Sequence, residues 1–103
     1  MYKAGGVVRA KELQIRYKTK HAGTDFKVAV VVSKKTSKQA VVRNKIRRRI
    51  YEWIRLNLPK DYKYDIMVTV FAHELAAVPS EQISKLLESN FEKIKQKQEI
   101  HKT

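Results

Sequence analysis

Apolar and polar residues alternate along this chain in blocks that change period. Residues 11–20 place Leu13, Ile15 and Tyr17 on one side and Gln14, Arg16 and Lys18 on the other, the period-two pattern of a half-buried strand. Residues 26–33, FKVAVVVS, are apolar and β-branched on both sides, which predicts a central strand. Its Val28, Val30 and Val32 are large, whereas Ala29 and Ser33 are small. The intervening HAGTD turn, with Gly23 free to take positive φ, predicts an antiparallel hairpin between the two. The period then lengthens. Wound at about 100° per residue, residues 41–55 gather Val42, Ile46, Ile50, Trp53 and Ile54 into one apolar stripe. Thr36 followed by Gln39 has the form of a capping box and predicts the helix start there, and Asn57-Leu58-Pro59 predicts its end near Leu56. Residues 64–71, YDIMVTVF, read as a third strand and 72–78 as a connector. Pro79-Ser80-Glu81 opens a second helix with Ser80 as its cap and a stripe of Ile83, Leu86, Leu87, Phe91 and Ile94. Residues 1–10 carry no periodic pattern and predict an irregular lead-in; past Gln96 the polar sequence predicts a frayed tail over 97–103.

Strand, strand, helix, strand, helix is an α+β order: a small mixed β-sheet packed by two amphipathic helices around a two-layer core. With 103 residues, one domain is expected over 1–103, because two would each be too small to bury a useful core. No internal repeat or linker interrupts it.

Charge changes the picture of the long helix. The chain carries 23 Lys or Arg against 10 Asp or Glu, a formal net charge of +13. A surplus that large opposes folding through self-repulsion and is most simply explained by a polyanionic partner. It is also concentrated, since the segment 27–51 holds nine basic residues and no acid. Beside the apolar stripe of the helix stand Arg43, Arg47 and Tyr51 in one row and Asn44, Arg48 and Arg55 in the next, with Glu52 the one acid in 41–55. A helix face built for solvation would interleave Glu with Lys or Arg at i, i+4. Nucleic acid suits this face better than an anionic membrane, because the apolar stripe is matched by strands that need covering. The N-terminal residues lack the apolar core of a signal peptide and no run reaches transmembrane length, so a cytoplasmic location is expected.

Candidate chemistry narrows the reading by failing to assemble. With no cysteine, thiolate metal sites and cysteine nucleophiles are excluded. His21, His73 and His101 lie in separate segments at no ligand-like spacing, and the carboxylates form no paired motif. Ser33 and Ser37 have no nearby base, and Gly5-Gly6 is too short for a phosphate loop. Neither catalytic nor metal-binding residues are expected in this chain.

The segment 32–55, VSKKTSKQAVVRNKIRRRIYEWIR, resembles the protein component of bacterial ribonuclease P, whose hallmark is an Arg-Asn helix, R-N-x-x-[KR]-R-x-x-R, preceded by a V-S-K-K strand end. The likeness is close over 27–55 and looser from Lys11 to Gln96. Arg43 and Asn44 stand at the Arg-Asn of the motif, with Arg47 and Arg48 at its next basic pair. Lys45 stands where Arg is frequent, Tyr51 replaces the final Arg, and Ser37 occupies a position often Gly. The resemblance implies a four-stranded α+β sandwich shared with a small-subunit ribosomal protein domain, with a left-handed βαβ crossover through the Arg-Asn helix. It also implies a function: a subunit of an endoribonuclease that matures the 5′ end of precursor tRNA, with chemistry and Mg²⁺ carried chiefly by the RNA subunit. Ribonuclease P RNA and precursor tRNA are then the expected partners, with no membrane; no protein partner is inferred. Lys34, Lys35, Lys38, Arg43, Asn44, Lys45, Arg47, Arg48, Tyr51 and Arg55 are the expected RNA-binding residues. Arg16, Lys18, Ala29, Val31 and Ser33 are candidates for the floor of a cleft that takes the precursor's 5′ leader. Family members usually begin with an aromatic-bearing helix, which only residues 1–10 are present to replace, so a more open cleft and weak dependence on leader length are expected. The alternative is a ribosomal or other structural RNA-binding protein without a processing role.

Overall fold

The computed structural model describes the backbone of residues 5–21 and 23–102 and side chains as far as Gln96. The elements in order are β1 (Gly5–Arg9), β2 (Leu13–Thr19), β3 (Val28–Val32), α1 (Ala40–Asn57), β4 (Tyr64–Val70), a short 3-10 turn (His73–Ala76) and α2 (Ser80–Lys102). The strands form one mixed sheet in the order β1-β2-β4-β3. β2 is antiparallel to both β1 and β4, whereas β3 runs parallel to β4. The α+β class and the two-layer core agree with the sequence pattern.

Three expectations about the strands are corrected. The lead-in is not irregular over residues 5–9, which pair with β2 from Gly5 opposite Lys18 to Arg9 opposite Gln14. Gly6 explains how so short a strand docks: a Cβ there would stand 2.9 Å from the Tyr17 hydroxyl, so the tyrosine ring covers the space the missing side chain leaves. β2 and β3 do not form a hairpin, because β4 inserts between them. β3 is therefore an edge strand and β4 a central one. The valine run of β3 reads as central because α1 as well as the sheet covers it. Gly23 does take the left-handed conformation, with φ of 83°, but the turn that it serves carries the chain past a strand position instead of reversing it onto a neighbour.

The helix boundaries shift for identifiable reasons. α1 starts at Ala40, with Gln39 as an N-cap that makes no side-chain bond. Thr36 is not the cap, since its hydroxyl donates to the Val70 carbonyl of β4 at 2.9 Å. Ser37 Oγ instead accepts from the Gln39 amide at 3.2 Å. In α2 the Pro79 carbonyl already accepts from the Gln82 and Ile83 amides, so Ser80 lies inside the first turn and not at its cap. That helix also continues past Gln96 as far as Lys102. The connector 72–78 contains the 3-10 turn, whose Leu75 and Ala76 are buried.

The core lies between one face of the sheet and the two helices. Val8, Leu13, Ile15, Tyr17, Val30, Val32, Tyr64, Ile66, Val68 and Val70 face Ile46, Ile50 and Ile54 of α1 and Ile83, Leu87, Phe91 and Ile94 of α2. Trp53 joins the helices, stacked on Phe91 with ring centroids 5.5 Å apart and its Nε1–H donating to Ser84 Oγ. Asn90, fully buried on the apolar stripe of α2, is a polar exception that the periodicity conceals. Alternation then leaves the opposite face of the sheet uncovered.

Candidate nucleic-acid interface

Two surfaces bring the sequence-derived site residues together, and β3 is their common border. The first is the exposed side of α1. Its buried stripe fixes the helix rotation, so at about 100° per residue Arg43, Arg47 and Tyr51 fall on the flank beside β3, and Asn44, Arg48 and Arg55 point outward. Contacts bear this out at both ends of the row. Arg43 donates from Nη1 to the Ser37 carbonyl at 2.9 Å, holding the loop that leads into α1. The Tyr51 hydroxyl accepts from the Val30 amide at 3.2 Å and donates to the Val28 carbonyl at 3.4 Å. Between them Arg47 donates to Asn44 Oδ1, so these two residues of the Arg-Asn motif are fixed relative to each other.

The tyrosine's contact explains its place in a row of arginines. A parallel edge strand presents unpaired amides and carbonyls on its outer side. The phenol fills one donor and one acceptor position there, which a guanidinium, with donors only, cannot do. Its hydroxyl is committed to β3, and only the half-exposed ring faces out.

Charge on this surface is almost uncompensated. Among the described residues, Arg55 with Glu52, at 2.6 Å, is the one ion pair. Glu52 holds the Arg55 guanidinium above its ordinary pKa, first by the hydrogen bond and then by charge. Arg48, Lys45, Lys34, Lys35 and Lys38 are exposed. Lys45 departs from the group, because its step around the helix carries it to the flank opposite β3. Arg49 was not singled out by the sequence and has a different task. It donates to the Leu75 carbonyl at 3.0 Å and to the Val78 carbonyl at 2.6 Å, clamping the 3-10 turn onto α1. Its i+3 spacing from Ile46 was the available signal.

The second surface is the open face of the sheet. The register sets Arg16, Met67 and Ala29 in one row across β2, β4 and β3, and Gln14, Thr69 and Val31 in the next. Lys18 stands opposite Asp65, which accepts from the Lys27 amide at 2.8 Å and so ties the entry of β3 to β4. A groove of about 670 Å³ runs here, lined by Val7, Arg16, Lys18, Lys27, Ala29 and Met67 among others. All five cleft candidates, Arg16, Lys18, Ala29, Val31 and Ser33, are exposed, and the four within strands share this face. Tyr17 points the other way into the core. Tyr2 lies outside the described residues.

Among the described residues no three His, Asp or Glu side chains converge where a metal ion could be held. Nor is any described helix long and apolar enough to cross a membrane.

A mixed sheet with helices on one face, an open basic groove on the other and an unneutralised arginine helix at its edge is the surface of a small α+β nucleic-acid-binding protein. The chain belongs to the ribonuclease P protein family: the Ribonuclease P family model matches residues 1–95. A ribonuclease P protein component from Prochlorococcus marinus (strain MIT 9312) is 45% identical over 49 residues, which span 48% of this chain and 38% of that relative. The fold is that of the RNase P protein of Staphylococcus aureus, with a TM-score of 0.69 at 27% identity over 85% of this chain and 79% of the other. The RNase P protein of Thermotoga maritima superposes with a TM-score of 0.66 at 24% identity, over 84% of this chain and 81% of that one, a likeness of fold.

Proposed function

We propose that this protein is the protein subunit of a ribonuclease P ribonucleoprotein, acting in the cytoplasm on the 5′ end of precursor tRNA. The observation that carries the reading is the α1 face. Arg43, Asn44, Arg47 and Arg48 stand together there with no acid against them, organised by the Arg43–Ser37 and Arg47–Asn44 contacts. Planar guanidiniums suit phosphate oxygens, and Asn44 offers both donor and acceptor to a base or sugar. This face docks on the RNA subunit, with Lys34, Lys35 and Lys38 as mobile charges at the helix entry.

The open sheet face takes the single-stranded leader. Ala29, Val31 and Ser33 keep the β3 side low enough for a strand to lie close, while Arg16 and Lys18 supply charge from β2. Among the described residues no three His, Asp or Glu side chains gather into a divalent-ion site, which fits Mg²⁺ being bound chiefly by the RNA subunit. The protein's contribution is to neutralise phosphates and to hold the substrate.

Reconstitution tests this. The protein, mixed with a bacterial ribonuclease P RNA and precursor tRNA at low Mg²⁺, should raise cleavage over the RNA alone. No stimulation defeats the proposal, and cleavage by the protein without RNA would place chemistry in this chain.

A further inference from the structure

The open face carries one large aromatic side chain that neither the core nor the basic set explains. Phe71 follows β4 directly and is 52% exposed, with Met67 at 43% and Val31 at 41% on the same face. Val70 before it is buried at 1%, so alternation turns the Phe71 ring outward. Its backbone is pinned on both sides. The Phe71 amide donates to the Glu12 carbonyl at 2.8 Å on the β2 side, and the Val70 carbonyl accepts from Thr36 at 2.9 Å on the β3 side. Thr36 belongs to the turn that bears Lys34 and Lys35, so the peptide presenting the ring is also the anchor of the lysine turn. No aromatic partner packs on the ring among the described residues.

A rigidly mounted, half-exposed aromatic beside mobile cations is the combination that holds unpaired nucleotides, the ring by stacking and the lysines at phosphates. The surrounding charge complements such a strand: Arg9, Arg16, Lys18, Lys34 and Lys35 are exposed at or beside this face, against Glu12 opposite Phe71 and Asp65, which is engaged with the Lys27 amide. A folded RNA subunit would offer mainly backbone to this surface, whereas a leader offers bare bases.

We propose that Phe71 is the base-stacking residue of the open face, gripping one nucleotide of the precursor's 5′ leader at the lysine-turn end of the sheet. This rests on the reading of the chain as a ribonuclease P subunit and adds a residue to it. Met67 and Val31 continue the apolar floor toward the opposite end.

The test uses the reconstituted holoenzyme and precursors carrying 2-aminopurine at successive leader positions, with leaderless tRNA for comparison. At one position the wild-type protein quenches fluorescence, Phe71→Trp retains the quench and Phe71→Leu, which keeps an apolar group, loses it. Phe71→Leu also weakens leader-bearing precursor by about tenfold, the scale of one lost base stack, and leaves leaderless tRNA unchanged. The proposal is overturned if no position responds to the Leu variant. It is equally overturned if the loss is the same with and without a leader, or if Phe71→Leu acts by abolishing self-association of the protein. Failure of the wild-type protein to stimulate cleavage is a different result, which defeats the subunit reading itself.

Discussion

The Tyr51 hydroxyl of α1 accepts a hydrogen bond from the Val30 amide at 3.2 Å, closing the outer edge of the strand that borders both candidate RNA surfaces. The same oxygen donates to the Val28 carbonyl. Tyr51→Phe should therefore destabilise the fold by about 0.5–1.5 kcal/mol, the net worth of such bonds. Tyr51→Arg, which restores the residue of the family motif, should lose the same edge contact while steepening the salt dependence of RNA binding by about one phosphate. Urea denaturation and a salt titration check the pair. If Tyr51→Phe unfolds at the wild-type midpoint, the hydroxyl is not holding β3.

The arginines of α1 divide into two kinds, and mutation should separate them. Arg43→Ala with Arg47→Ala should weaken binding to the RNA subunit and flatten the salt dependence by about one to two phosphate contacts. Arg49→Ala should leave that slope unchanged and lower stability by about 2 kcal/mol, because two carbonyls that accept from a charged donor lose it. A salt slope that moves with Arg49 but not with Arg43 and Arg47 would mean that the two flanks of α1 have been assigned the wrong way round.

This division shows what the sequence could and could not express. The apolar stripes of α1 and α2 and the alternation of β2 follow from burial on one side, a local property, and they were legible. The position of β3 was not, because strand order is decided by which edge a distant strand joins, and VAVVV gives no sign that β4 will come between it and β2. β1 escaped notice for a related reason. Five residues with two glycines have no period of their own and become a strand only against Tyr17. Thr36 shows competition between partners: its sequence neighbour Gln39 suggests a helix cap, but the Val70 carbonyl thirty-four residues away takes the hydroxyl. The common face of the basic residues was legible as well. Guanidiniums on an acid-free face need only the helix rotation, which the stripe fixes. Phe71 and Arg49 were missed, since exposure of one and capture of the other are tertiary facts.

The aromatic residues at one end of the core give the fold an alkaline limit. Tyr62 lies 5.9 Å from Tyr64 and 5.5 Å from Phe26 by ring centroids. Burial, then the neighbouring Tyr64 and Tyr17 phenols, push the Tyr62 hydroxyl up from 10.0 to about 12. Burial also raises Tyr64 and Tyr17. A phenol whose pKa is higher folded than unfolded favours the native state while it is neutral. Its contribution is complete below pH 10 and disappears between about pH 10 and pH 12, because the unfolded chain loses the proton first. Tyr62→Phe should remove part of this decline, with little change at neutral pH. Denaturation midpoints measured from pH 8 upward check it, and parallel curves for the two proteins would defeat the assignment.

Asn90 supplies the last expectation. It is 1% exposed on the apolar stripe of α2, and its amide nitrogen donates to the Leu86 carbonyl at 2.7 Å, while Oδ1 has no partner. Turning the amide over would set its oxygen against that carbonyl and leave its nitrogen unpaired as well, so the orientation with Oδ1 as the orphan is the better one. A buried acceptor without a donor costs about 1–3 kcal/mol, and asparagine is also a poorer helix former than alanine by roughly 0.5 kcal/mol. Against this, Asn90→Ala forfeits the Leu86 bond and leaves a small void. The terms favour the variant, which should be more stable than wild type by about 1 kcal/mol, with RNA binding unchanged because α2 lies on the covered side of the sheet. Thermal or urea unfolding decides it. A clear loss of stability would show that Oδ1 is satisfied in solution, by a buried water held beneath α2.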